Sequence, residues 1–206
     1  MNDSGHRYFI IHKPFEMVSQ FISPDKVRLL GDLDFDFPEG THAIGRLDNH
    51  SEGLLILTTN KKVTKLLFQG EVPHKRTYLV MVKGVVTPEE LLQLKTGITI
   101  VIAGGADYLT TPCHAAIVEK PAGLFHRPQA FRELLPHTWL EITLTEGKFH
   151  QVRKMVMAIG HRCQRLIRTS IEDLELGELA PGHVREIEEH LFFEQLKIRY
   201  SANITA

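Results

Sequence analysis

The stretch Ala43–Asn60, AIGRLDNHSEGLLILTTN, places Arg46 and Asp48 two residues apart, just before a run of aliphatic side chains. If the chain is extended there, side chains two apart point the same way, and both charges stand at the lip of a strand. A single carboxylate in that setting can act as a nucleophile or take a proton, and a guanidinium beside it can hold an anionic partner. Asp48 and Glu52 do not suit a glycosidase pair, because two carboxylates in one short turn cannot straddle a sugar. Ser51, in HSEG, lacks the GxSxG elbow of a serine nucleophile. Twelve histidines raise the question of a metal, but HExxH is absent, and His114 beside Cys113 and His161 near Cys163 are not at zinc-finger spacing. We therefore expect no metal, and the single-carboxylate reading is the better one.

The partner of that carboxylate is suggested by how charge is distributed. A net charge of −1 over 206 residues argues against a polyanion, since phosphate binding draws on excess lysine and arginine. The average conceals a segregation. Gly147–Ile171 holds six Lys/Arg and two His with no acid, whereas Glu172–Glu194 holds eight acids and one arginine. One face is expected to be basic and another acidic, although a solvated surface is the ordinary fate of a charge run. Cys113 and Cys163 lie fifty residues apart without a CxxC pairing, which suits a reducing, cytoplasmic compartment. The N-terminus MNDSGHRYFI does not read as a signal peptide, and no apolar run is long enough to span a membrane.

The elements that must position these residues follow from pattern. RYFIIHKP reads as a strand ended by Pro14, the acidic GDLDFDFPEG as a connecting loop, and GLLILTT as a buried strand with Leu54, Leu55, Ile56 and Leu57 in the core. Asn60 should cap a helix over KKVTKLLFQ, with Gly70 at its stop. KRTYLVMVKG alternates as a strand. TPEELLQLKTG opens with Thr87 as N-cap, Pro88 at the first helical position and Glu90 closing a capping box, and ends at Gly97. ITIVIAGG and CHAAIVEK are expected strands, and PAGLFHRPQAFRELLPH a long surface excursion. In TWLEITLTEG, Trp139, Glu141, Thr143 and Thr145 share one strand face, and Leu140, Ile142 and Leu144 the other. KFHQVRKMVMAIG turns helical: Val152, Met155, Val156 and Ile159 form an apolar stripe that leaves Gln151, Arg153 and Lys154 off its centre, and Gly160 stops it. The class is α+β, with strands outnumbering helices and hairpins mixed with crossovers.

GRLD, SEGLLIL, KRTYLV, EGKFHQVRKM and RLIR, in that order, resemble the pseudouridine synthases, and within them the ribosomal-RNA branch typified by RsuA. The resemblance runs from FIIHKP to REI. It implies a mixed, mainly antiparallel sheet with flanking helices, an active-site cleft between two sub-lobes, and one catalytic domain over residues 6–200 with tails at 1–5 and 201–206. It also implies isomerisation of a uridine in ribosomal RNA, most like the large-subunit members without an S4 module. The N1–C1′ bond breaks, the base turns over and rejoins through C5, with no redox change and no cofactor. Asp48 matches the catalytic aspartate. Arg153 matches the basic residue that pairs with it and offsets the desolvation of a buried carboxylate; Tyr78 matches the aromatic that stacks on the flipped base. Arg46 matches an RNA-associated arginine. Lys75, Arg76, Lys148, His150, Gln151, Lys154, Arg165 and Arg168 are candidates for phosphate or RNA-edge contacts. Leu144 and Leu166 could line the uracil pocket, although core burial is their commoner fate.

The chain departs from the family pattern at three places. His12-Lys13-Pro14 stands for the usual NKP, Phe15 and Glu16 for a small residue, and Ile171-Glu172 for Ile-Gly. The chain is expected to start directly with the catalytic part and to act as a monomer. A noncatalytic RNA-binding relative is the alternative, but it should have lost Asp48 or its basic partner. A base-removing glycosylase would need a second carboxylate to bring water to the sugar.

Overall fold

A computed structural model describes residues 5–68, 73–127 and 135–199. Gly70, the far ends of both tails and the middle of the 121–137 excursion lie outside them. The chain forms two compact units: residues 1–74 with 168–206, and residues 75–167.

The first unit is built on β1 (Tyr8–Lys13), all six residues of which are buried. β1 pairs antiparallel with β3 (Glu52–Thr58) in the register Ile10↔Ile56, and with β11 (Val184–Ile187) in the register Phe9↔Glu186. β2 (His42–Ile44) takes the other edge of β3, with Ile44 also opposite Ile56. β3 is buried along its length, and Leu54, Leu55, Ile56 and Leu57 are in the core as expected. Aromatic rings cover both faces of β1. Tyr8 meets Phe192 and Phe193 of helix α4 (Glu189–Gln195) at centroid distances of 4.6 and 5.4 Å. Phe9 packs edge-on against Phe35 and Phe37. The acidic loop GDLDFDFPEG therefore does more than connect: its two phenylalanines are half-buried against Phe9, and a short 3-10 turn (Leu30–Asp32) opens it. Helix α1 (Lys62–Phe68) begins where Asn60 Oδ1 accepts from the Lys62 N–H at 3.0 Å, as the cap assignment requires.

In the second unit β8 (His137–Leu144) lies between β4 (Arg76–Lys83) and β7 (His114–Val118), both antiparallel to it. Helix α2 (Pro88–Thr96) carries the expected capping box: Thr87 Oγ1 accepts from the Glu90 N–H at 3.2 Å, and Glu90 Oε2 accepts from the Thr87 N–H at 2.8 Å. Gly97 ends it at φ 101°. ITIVIAGG yields a shorter strand than expected, β5 (Thr99–Val101), which pairs with β6 (Asp107–Leu109). Three-residue strands such as β6 are too short for alternation to announce them. On helix α3 (Gln151–Ala158) the stripe holds: Val152, Met155, Val156 and the C-capping Ile159 are buried against Val80, Val82, Leu140 and Ile142. Trp139 is buried as well as the Leu140 face, so β8 is less amphipathic than its alternation implies.

Strand β9 (Cys163–Ile171) contains the boundary between the units, and β10 (Leu174–Glu175) folds back on it with Leu174 opposite Ile171. The α+β class and the mainly antiparallel pairing are as expected.

Candidate active site

Asp48 lies in the loop between β2 and β3, and backbone groups on both sides of it are clamped. Ser19 Oγ donates to the Leu47 carbonyl at 2.9 Å and accepts from the Leu47 N–H at 3.0 Å. The Asn49 carbonyl accepts from the Glu16 N–H at 2.9 Å, and the Ser51 N–H closes a turn on the Asp48 carbonyl at 2.9 Å. With these neighbours fixed, the backbone that presents the half-buried Asp48 carboxylate is held in place. Exposure alternates along the segment: Arg46 outside, Leu47 buried, Asp48 partly out. The same-side placement of Arg46 and Asp48 fits that alternation. Arg46 Nη2 donates to Gln20 Oε1 at 2.6 Å.

Lys13 underlies this loop. Its side chain has no exposed surface, and Nζ donates to the carbonyls of Met17 at 2.6 Å, Pro14 at 2.8 Å and Asn49 at 3.4 Å. The proline that ends β1 thus turns the chain so that one ammonium gathers three carbonyls, one of them next to Asp48. Burial pulls the Lys13 ammonium down to about 7, against the upward pull of the Glu52 and Asp48 carboxylates, while Arg168 and Arg28 add to the lowering. Between about 7 and the ordinary 10.5 the unfolded chain binds more protons at this position than the folded one, so its contribution to stability grows as pH rises through that window. Below the window both states are protonated and the cost of burying the charge is fully present. The urea midpoint of the wild type is expected to gain on that of Lys13→Met between pH 7 and 9.5; parallel profiles would contradict the assignment.

Two further residues shape the same loop. Gly53 has φ +103°, and a Cβ there would sit 2.3 Å from the Arg168 carbonyl oxygen, so only glycine lets the start of β3 approach β9 this closely. Arg168 Nε donates to the Leu54 carbonyl at 2.8 Å.

In the second unit, Glu146 is a hub. Its carboxylate accepts from the Tyr108 hydroxyl, from the Thr111 N–H at 3.0 Å and from Gln151 Nε2 at 2.6 Å. Desolvation pushes this carboxyl up, but those hydrogen bonds and the Lys148 charge outweigh it and leave it below the usual range. Gln151 Oε1 in turn accepts from the Lys148 N–H at 2.8 Å. The EGxxxQ spacing therefore ties the first turn of α3 to β6, and α3 carries Arg153. Gly147 leaves room for Arg76, whose Nη1 would lie 3.0 Å from a Cβ there and whose Nη2 donates to the Thr145 carbonyl at 3.1 Å. Tyr78, on β4 opposite Ile142, is partly exposed and packs on the core of this unit. Arg153 is half-buried, and its charge reaches the Cys163 thiol, which burial nevertheless holds above its ordinary value. Neither cysteine forms a disulfide.

The family model described as RNA pseudouridylate synthase matches residues 7–158, from β1 to the end of α3. This chain belongs to that family. A ribosomal large subunit pseudouridine synthase E from Vibrio parahaemolyticus is 35% identical over 186 residues, covering 89% of this chain and 75% of the relative. A protein of the same name from Xanthomonas axonopodis pv. citri is 34% identical over 174 residues, covering 84% and 89%. Among solved structures, one described as a pseudouridylate synthase superposes with a TM-score of 0.74 at 26% identity, covering 93% of this chain and 74% of that one.

Within this pseudouridine synthase, Arg46, Asp48 and Arg168 fall in the first unit, and Tyr78, Lys75, Arg76, Lys148, His150, Gln151, Arg153 and Lys154 in the second. Lys75 and Lys148 are exposed, and Arg76, His150, Arg153 and Lys154 partly so. Three basic-groove candidates are buried in this structure. Arg168 and Arg165 are buried at 4% and 6% exposure, because β9 turns them inward, and Gln151 is buried at 4% because Glu146 and Lys148 use its amide. Leu144 and Leu166 both lie in the core of the second unit. Reading the sequence missed Lys13, Ser19 and Glu146 as organisers. A lysine at the buried end of an otherwise apolar strand was the available signal for Lys13; nothing local marks Ser19.

The departures from family pattern have a common physical form. Glu16 and Glu172 adopt φ of +56° and +49°, the left-handed region where a glycine or small residue is at ease and a glutamate is strained. The Glu172 side chain is buried there, with Oε1 3.6 Å from the buried His74 Nδ1 and Oε2 3.4 Å from the half-exposed Lys197 Nζ.

Proposed function

We propose that this enzyme converts a specific uridine of large-subunit ribosomal RNA to pseudouridine, acting as a cytoplasmic monomer without a cofactor. The observation that carries the reading is the clamped Asp48 loop in a chain of this family whose relatives at 34–35% identity bear the name large-subunit synthase E. The target nucleotide leaves its stack, a step needed for any enzyme that must reach N1 and C1′ of a helical base. Asp48 is the carboxylate that reacts, and Tyr78 replaces the lost stacking neighbour. Arg153 keeps Asp48 anionic in the reacting complex. Arg46 grips the flipped nucleotide or the strand around it, and Lys75, Arg76, Lys148, His150 and Lys154 meet phosphates. Because the reaction is an isomerisation no outside group is consumed: as C1′ passes from N1 to C5, the C5 proton leaves and N1 takes one up, and the Tyr78 hydroxyl helps to remove the C5 proton.

Unmodified 23S and 16S transcripts incubated separately with the protein, then mapped by carbodiimide-blocked primer extension, test the substrate. A discrete new stop in the 23S transcript alone is the expected result. Stops confined to 16S RNA, or none in either, would overturn the large-subunit reading.

A further inference from the structure

Phe149 is 67% exposed although it stands between Lys148 and His150 on the way into α3. Its ring is not idle. The His150 ring stacks on it at a centroid distance of 3.8 Å and an interplanar angle of 18°, and Lys154 Nζ lies 5.6 Å from the Phe149 centroid. His150 reaches this position from a left-handed backbone, φ 56° and ψ 28°, a conformation a histidine adopts only at some cost when its surroundings enforce it. Packing does not explain the arrangement, since Phe149 is absent from the core cluster of its unit. Nor is the neighbourhood one that repels a polyanion. The nearest acid in sequence, Glu146, is turned onto Tyr108, Thr111 and Gln151, and no other acid follows before Glu172.

We propose that the Phe149–His150 stack is a platform for an unpaired RNA base outside the catalytic pocket, a neighbour of the target uridine, with the Lys154 and Lys148 ammonium groups holding the adjoining phosphates. An aromatic pair whose Phe149 ring is largely exposed, with the Lys154 ammonium 5.6 Å from that ring and the Lys148 ammonium over Tyr108, fits a nucleobase, whose π-face is offered whatever its identity, joined to a backbone of phosphates. An apolar peptide would find the cations unanswered. An acidic peptide would leave the rings uncovered. The platform therefore adds affinity and register, and the chemistry stays with Asp48. This inference rests on the RNA-modifying reading and extends it to a second base.

The test uses the full chain and short RNA fragments that each carry one abasic ribose at successive positions around the modified uridine, with dissociation constants from filter binding. In the wild type, one abasic position is expected to weaken binding about tenfold, the usual worth of one base–aromatic stack. Phe149→Leu should bind the intact RNA about tenfold more weakly and be indifferent to that same abasic position, while Phe149→Tyr should behave as the wild type. Phe149→Trp supplies an independent reading: its emission should be quenched by intact RNA and not by the abasic fragment, against the buried Trp139 as the constant background. Equal sensitivity of wild type and Phe149→Leu to every abasic position, unquenched emission with RNA demonstrably bound, or failure of the wild type to bind any fragment would overturn the platform. Pseudouridine formation is scored separately on the intact RNA, so binding by stacking without turnover would count against the substrate assignment and leave the platform standing.

Discussion

Asp48→Asn is expected to lower the rate of pseudouridine formation by roughly 10⁴- to 10⁶-fold, the range that follows removal of a group that carries a reaction's covalent or charge-bearing step. The substitution keeps the side chain's shape, removes the anion and turns one acceptor oxygen into an amide donor. The loop that presents residue 48 is fixed through the backbone of its neighbours, by Ser19 at Leu47 and by Glu16 and Lys13 at Asn49, so the variant should fold with an unchanged circular dichroism spectrum. RNA affinity should stay within about threefold of the wild type, because the contacts that hold phosphates lie on other side chains. Loss of folding together with activity would make Asp48 a structural residue instead.

Arg153→Met is the second large effect. A guanidinium acting as counter-charge to the reacting carboxylate contributes through electrostatics in a water-poor site, and removal of one such preorganised group costs about 10²- to 10³-fold in turnover. Methionine keeps the unbranched apolar stem of the side chain, so the Val152, Met155, Val156 stripe that seats α3 should be untouched. The single-turnover rate should therefore fall while the melting temperature holds. Arg153→Lys should recover part of the rate, since it restores charge without the planar fork. A variant whose KM rises with kcat unchanged would move Arg153 from the chemistry to RNA binding.

What the sequence disclosed was set by how local each signal is. The helix stripe, the Thr87–Glu90 capping box and the Asn60 cap depend on neighbours within one turn, and the structure has them where the residues indicated. The family was legible because five short words fell in its order, and the comparison with the family model bears that out; the choice of Asp48 within it rests on the match of one of those words. Burial was not legible in the same way. Arg165, Arg168 and Gln151 look like surface residues in a basic block, but β9, set between strands β3 and β4, and the Glu146 hub, with partners 35 and 38 residues away, take them inward. The acidic loop read only as a connection, yet β1 presents Phe9 to its Phe35 and Phe37. Lys13 mixed near and far partners: the Pro14 and Met17 carbonyls are local, but the Asn49 carbonyl and the carboxylates and arginines that shape its charge are not.

The account depends most on the anionic carboxyl of Asp48. Its most direct test sets wild type and Asp48→Asn side by side on one unmodified ribosomal RNA, reading the single-turnover rate of pseudouridine appearance and the RNA dissociation constant from the same preparation. The account predicts a wild-type product curve, no measurable product from Asp48→Asn, and dissociation constants within about threefold of each other, as expected when phosphate contacts are unchanged. Matching product curves from the two proteins would contradict it.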